Sequence, residues 1–337
     1  MKGILSLAVK IGVSGVILYF LFRNIGVSAI RSTAISVNPW AVVFAALLYI
    51  FTQGVSTYRW SLILRKDMDI SYLNLLSIYF IGMFFNNFLP TVVGGDIVKG
   101  YFLYRKSGRG DVSTASIFMD RYSGFAALIA ITAVAVIMGY PLIRGTGLPF
   151  LFALLIGGFA VLSLVLWVGP LHGWAMNIMA KVHFYGINKK IDTFYKILMG
   201  YKSRYGILVR IFICSLIVQG GVITGYYALG RGLGMDVGPG YFFLFIPLVT
   251  AVSMMPISLS GLGLREGAFI FLFTRVGATK AQALTLSLMW FSITAIVSLI
   301  GGIEYIRGGT PRGGAGGKGP AAPSSHQGGE GPETLEA

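Results

Sequence analysis

The sequence predicts an all-α polytopic membrane protein. It should have about six full transmembrane helices plus two oppositely oriented re-entrant helical hairpins, arranged as an inverted repeat. Three observations carry this reading. Hydrophobic residues make up 55% of the 337 positions and charged residues only 12%, far from the balance of a soluble domain. Several apolar runs approach the roughly 20 residues that cross a bilayer. Two longer apolar regions are interrupted by proline, glycine and charge, which at membrane depth mark broken helices lining a cavity.

The elements follow in order. The first span is 4–22. Lys2 gives it a basic start, and Val27-Ser28-Ala29 resembles a weak signal-peptidase site. Its apolar run exceeds the roughly 7–15 residues of a signal core, so the helix is expected to stay. The second span is 40–58. The region 73–104 is too long for one span and breaks at Pro90, which reads as a hairpin returning to its own side; the alternative is a full span followed by a half-helix. Spans 114–138 and 148–168 come next. The stretch 171–205 alternates apolar residues with bases, as either a basic amphipathic segment on anionic headgroups or a plain connector. Span 207–229, a second broken region 241–273 and a last span 282–305 complete the set. From 307 to 337 the chain is rich in glycine, proline and serine. It is expected to be disordered and to add no second domain.

Charge sets the topology. With the N-terminus in the cytoplasm and both hairpins re-entrant, inside segments hold 18 of the 27 bases and outside segments 6. Lys99, Arg121 and Arg265 are left at membrane depth. Arg59 is counted here with Arg65 and Lys66 as a loop base. This is a positive-inside pattern, and it puts both termini in the cytoplasm. Each half, about 1–140 and 148–306, then crosses three times. The second half is therefore inverted, as in many transporters. The formal charge of +15 resides in short loops between apolar spans, which argues against nucleic-acid binding. Cys214 lies alone in an apolar run, where a thiol packs as a small hydrophobe.

The two breaks share a pattern. In Asn86-Asn87-Phe88-Leu89-Pro90-Thr91-Val92-Val93-Gly94-Gly95-Asp96-Ile97-Val98-Lys99, a glycine follows the proline by five positions and a base by nine. Pro256, Gly261 and Arg265 repeat that spacing, and Gly263 and Glu266 lie beside them. Pro90 removes a backbone donor, and Gly94 and Gly95 permit close approach. One reading has free amides at the start of the returning half-helix, together with Lys99, receiving a lipid phosphate, while Asp96 orients Lys99 or exchanges protons. The plain alternative is that Asp96 caps the half-helix and Lys99 snorkels. Arg265 suits bidentate phosphate binding. Adjacent residues do not face each other on a helix, so Arg265 and Glu266 are expected to have different partners, or to join an internal ion-pair network. Asp120 and Arg121 need partners or water inside the membrane: they could pair with Lys99 or Glu266 across the bundle as a structural clamp, or form part of the pathway. Asn86 and Asn87 could satisfy broken backbone groups or touch a headgroup. Glu304 reads as an ordinary acid near a membrane end.

No nucleotide-binding P-loop, HExxH motif or Cys/His cluster with metal-ligand spacing occurs. No catalytic residue, metal or cofactor is therefore expected, which weakens enzyme readings.

Phe85–Asp96 as quoted, the run around Met119-Asp120-Arg121-Tyr122, and Gly261-Leu262-Gly263-Leu264-Arg265-Glu266 resemble signatures of one family. It is the lysylphosphatidylglycerol synthase transmembrane region, also called flippase-like or UPF0104, and the resemblance extends over residues 4–306. It implies a multi-pass protein of the bacterial or archaeal inner membrane. In bifunctional relatives this region is associated with flipping aminoacylated phosphatidylglycerol, and a separate cytosolic domain does the synthesis. That domain is not expected here, nor is lysyl transfer. The implied role is a lipid flippase or transporter. Its cargo would be an anionic phospholipid, polyprenyl-lipid, glycolipid or hopanoid. The expected transport residues are Asn87, Pro90, Gly94, Gly95, Asp96, Lys99, Asp120, Arg121, Pro256, Gly261, Gly263, Arg265 and Glu266. The alternatives are a membrane enzyme acting on a lipid headgroup, or a non-transporting partner of a lipid-synthesis complex. A homo-oligomer is a further expectation.

Overall fold

The computed structural model describes residues 2–65, 67–89, 94–171, 173, 195, 199–200, 205–254, 258 and 261–307. Among them all regular structure is helical. The helices are α1 Lys2–Ile25, α2 Val27–Ile35, α3 Pro39–Leu64, α4 Tyr72–Phe88, α5 Gly94–Ser107 and α6 Gly110–Ile143. They continue with α7 Leu148–Trp167, α8 Tyr205–Gly232, α9 Pro239–Ser253, α10 Leu264–Phe273 and α11 Lys280–Ile306, with a 3-10 turn at Thr274–Val276. Five of these, α3, α6, α7, α8 and α11, are long and apolar enough to cross a membrane, and the α1–α2 pair makes a sixth if counted as one bent span. The expected spans therefore stand as helices, with ends shifted by several residues. The expected connector and tail fall almost entirely outside the described residues, as do Pro90 and Pro256.

Local chemistry sets several boundaries. The Asn38 side chain accepts from the Trp40 amide at 2.9 Å and Pro39 opens α3, an N-cap followed by proline in the first turn. Thr279 and Gln282 form a capping box at α11. Gly26 has φ 83°, a left-handed geometry that only glycine adopts freely. There the chain turns by 78° into α2, a helix outside the predicted spans.

The predicted second span ends too early. α3 continues to Leu64 and buries Arg59, which is 5% exposed. Arg59 is thus a helical cation buried in the protein rather than a loop base. Its cost is offset by the partners described below.

The helices pair in a pattern that repeats when α3–α6 are exchanged with α8–α11. α4 packs on α11 and α9 on α6. α5 packs on α6 and α10 on α11. α3 packs on α4 and α8 on α9, while α3 and α8 form the most extensive pair with each other. Small residues permit the closest crossings: a Cβ at Gly301 would run into the Phe80 backbone, where α11 crosses α4.

Two apolar cores result. One gathers Ile223, Phe242, Phe269 and Leu286; the other gathers Trp60, Ile63, Leu103 and Met119. Along α3, Ala45 belongs to the first and Trp60 to the second, with Gln53, Ser56 and Arg59 in the interval between. Cys214 packs in the second core. Lipid-scale exposure remains on the outside, as at Met138, Phe150 and Ile137.

Candidate functional site

A polar cavity of about 340 Å³ opens in the interval between the two cores. α3 contributes Gln53 and Arg59, α4 contributes Tyr79, Asn86 and Asn87, and α5 contributes Lys99. α6 contributes Asp120 and Arg121, α8 contributes Gln219, and α9 ends there at Thr250 and Met254. Three bases and two acids therefore meet around it, counting Asp96 through its two ion pairs.

One of these pairings is closed. Arg59 donates from Nε to Asp120 Oδ1 and from Nη1 to Ser215, both at 2.9 Å, and its Nη2 stands 2.7 Å from the same Asp120 oxygen. Both charged side chains are 6% exposed. A buried pair held by Asp120 on one side and Ser215 on another is a clamp joining α3, α6 and α8. Asp120 thus pairs with Arg59, not with Lys99 or Glu266 as expected.

The other network is open. Asp96 Oδ2 accepts from Arg121 Nε at 2.8 Å, while Lys99 Nζ stands 3.7 Å from Asp96 Oδ1. Arg121 also departs from the expected partners, pairing with the acid of the broken region. Among the described residues no hydrogen bond reaches Asp96 Oδ1, none leaves Lys99 Nζ, and none leaves the two outer nitrogens of Arg121. Lys99 lies 3.9 Å from the Tyr79 ring centroid and 5.6 Å from that of Trp60, so aromatic faces hold the ammonium in place. It is buried within the protein and does not snorkel to a surface. The Arg121 side chain is 47% exposed and lines the cavity.

The first break positions this network. Gly94 and Gly95 begin α5, and both are buried. The Gly95 amide donates to Asn86 Oδ1 at 2.8 Å, so that amide of the half-helix is already taken. A Cβ on Gly95 would meet the Gly82 carbonyl and the Asn86 side chain, which fixes how closely α4 and α5 approach. Asn87 Nδ2 donates to the Thr294 carbonyl at 3.3 Å, tying α4 to α11.

The second break is arranged differently. Gly261 and Gly263 hold φ of 81° and 86°. Glu266 accepts at Oε2 from the Gly263 amide at 2.7 Å. At Oε1 it accepts from Arg265 Nη2 at 2.7 Å, Arg265 Nε at 2.9 Å and Ser287 at 3.0 Å. The two adjacent residues thus share partners, contrary to the helical expectation. The physical reason is their place in the first turn of α10: Glu266 folds back to cap Gly263, and the long Arg265 side chain wraps onto it. Arg265 also lies over Phe291 at 5.0 Å. Neither residue lines the polar cavity; among the described residues, this region reaches it through Thr250 and Met254.

The family model described as lysylphosphatidylglycerol synthase TM region matches residues 7–302. The chain belongs to that family. Its similar relatives include two UPF0104 membrane proteins of Methanothermobacter thermautotrophicus. One is 22% identical over 300 residues, covering 81% of this chain and 87% of the relative. The other is 24% identical over 301 residues, covering 80% and 84%. A UPF0104 membrane protein of Pyrococcus horikoshii is 25% identical over 299 residues, covering 79% and 86%.

In this member of the lysylphosphatidylglycerol synthase TM region family, sequence reasoning missed Arg59, Tyr79, Gln53 and Gln219. The signal for the two glutamines was present: a polar side chain inside an apolar span faces protein or a cavity. Thr52, Ser56 and Arg59 recur at helical spacing with Ile63, which extends the buried face past the expected span end. Glu304 accepts from Ser77 at 2.9 Å, linking α11 to α4. Among the described residues, no cluster of three or more His, Cys, Asp or Glu side chains is placed to hold a metal ion.

Proposed function

We propose that this membrane protein is a lipid flippase or transporter whose cargo carries a phosphate or similarly polar, anionic headgroup. One observation carries the reading. Arg121 and Lys99 face one cavity with unused donors, and both are held by the same carboxylate, Asp96. Guanidinium donors suit phosphate geometry, and a lysine adds a point charge. The headgroup bonds to Arg121 and Lys99 between the two cores while its chains stay in apolar surroundings. Asp96 keeps the two cations paired when the cavity is empty, which lowers the cost of holding them at depth.

The exchangeable helix pairing supports an inverted relation between the halves, with the two broken regions entering from opposite sides. In this reading the protein lies in the cytoplasmic membrane with both termini inside. Its partners are membrane lipids, and a second copy or a lipid-synthesis enzyme are further candidates. Its role is to move the lipid rather than to alter the headgroup.

Proteoliposomes test this. Headgroup-labelled anionic, zwitterionic and isoprenoid lipids are followed by quenching from outside. Acceleration for an anionic class, lost in Arg121→Gln, is the expected result. No acceleration for any member of the panel sinks the reading.

A further inference from the structure

We infer that an apolar cleft beside the polar cavity seats a hydrocarbon chain of the same amphiphile, with Phe125 and Met254 as the wall shared by headgroup and chain. This rests on the headgroup reading above and adds where the chain lies. The cleft has a volume of about 610 Å³, and among the described residues no charged side chain lines it. α7 supplies Leu155 and Gly158, α9 supplies Leu248 and α10 supplies Leu272. Phe125 and Met254 line both compartments. A polar chamber and an apolar chamber that meet at two side chains match the two ends of a lipid.

The cleft also has a lateral opening. α7 packs chiefly on α6, and side chains it sets along the cleft are exposed, with Leu154 at 64% and Leu162 at 49%. A chain can therefore slide in from surrounding lipid without leaving an apolar environment. Because lipid tails are as apolar as the cleft, the chain gains no hydrophobic driving force by entering it. The cleft acts instead by shape and by tethering. A seated chain holds its own headgroup at high effective concentration beside Arg121. Met254 suits a wall that must fit differing chains, since its thioether side chain repacks readily. It follows directly on α9, so the second break joins the site through this methionine and not through Arg265 or Glu266.

The test uses the full chain in nanodiscs containing phosphatidylglycerol with a diazirine at the end of one acyl chain. Peptide mass spectrometry locates the adducts after illumination. Binding of short-chain dihexanoyl phosphatidylglycerol, whose chains are too short to fill the cleft, is titrated in parallel. Adducts are expected at Leu155, Leu248 and Leu272. Gly158→Phe should remove them and leave short-chain binding unchanged. A Cβ at Gly158 meets nothing within 4 Å, so the ring can enter the cleft without backbone movement. Leu154→Trp, from another position lining the cleft, repeats the blockade should the first variant not fold. Arg121→Gln should reduce both the adducts and short-chain binding. Adducts spread evenly over lipid-facing helices, with short-chain binding intact, would overturn the chain seat and leave the headgroup reading standing. Cleft adducts that ignore Arg121→Gln would mean surrounding lipid only and would also overturn it. Absent short-chain binding in the unaltered protein would remove both readings together.

Discussion

The two broken regions share a sequence pattern and differ in how their charges are completed. At the first, Asp96 divides its oxygens between Arg121 and Lys99, and both cations keep unused donors toward a cavity. At the second, Glu266 is 0% exposed and accepts from Gly263, Arg265 and Ser287. An acid with every oxygen bonded is a joint; an acid shared by two half-satisfied cations leaves room for a ligand. Proline, glycine and charge in one spacing therefore specify a break in the helix, while the neighbouring helix decides what the break does.

Four substitutions sharpen or break this contrast, and the largest effect belongs to the closed region. Glu266→Ala strands the Gly263 amide and the Arg265 guanidinium inside the protein, and should cost about 3–5 kcal/mol of stability. Thermal unfolding in detergent should show a large loss, and a folded variant of unchanged midpoint would contradict the closed arrangement. Gly95→Ala places a methyl against the Gly82 carbonyl, an overpacking worth about 1–3 kcal/mol. Its midpoint should fall and lipid movement should slow with it, because α5 carries Asp96 and Lys99. Normal stability for this variant would mean that α4 and α5 separate easily.

Arg121→Gln should act on the ligand as well as on the fold. The guanidinium is half exposed, but Asp96 is buried and loses the hydrogen bond from Arg121 Nε while Lys99 stays 3.7 Å away, so stability should fall by about 1–3 kcal/mol. Binding of an anionic lipid should weaken about tenfold, since a hydrogen bond to a charged group is lost. Unchanged binding would put the headgroup elsewhere. The smallest effect is expected at Gly267, a helical position in α10 where a Cβ meets nothing within 4 Å. Gly267→Ala should raise stability by about 0.5–1 kcal/mol, and a clear loss would show that α10 needs that glycine.

Much of the helical arrangement is legible in the residues because it rests on local physics. Runs of apolar side chains long enough for a bilayer, opened by Asn38-Pro39 or by Thr279 and Gln282, specify helices without reference to neighbours. The family signatures around Asp96 and Arg265 are likewise local. The partner assignments are less so. Asp120 and Arg59 are 61 positions apart, and Arg121 and Asp96 are 25 apart. Arg59 looked like a loop base because hydropathy places a span's end only within several residues. The Arg265–Glu266 contact runs against helical spacing, because it forms at a helix start where side chains fold back to the backbone.

The sequence by itself determined that the chain is helical, suited to a membrane and broken twice by the same device, since bilayer length, proline and glycine act through neighbouring residues. Only the tertiary structure decided that the first break opens on a cavity and the second closes on itself. Charge satisfaction depends on which helix lies opposite: α6 brings Arg121 to Asp96 and leaves its outer nitrogens unused, while α11 brings Ser287 to Glu266 and helps fill its oxygens.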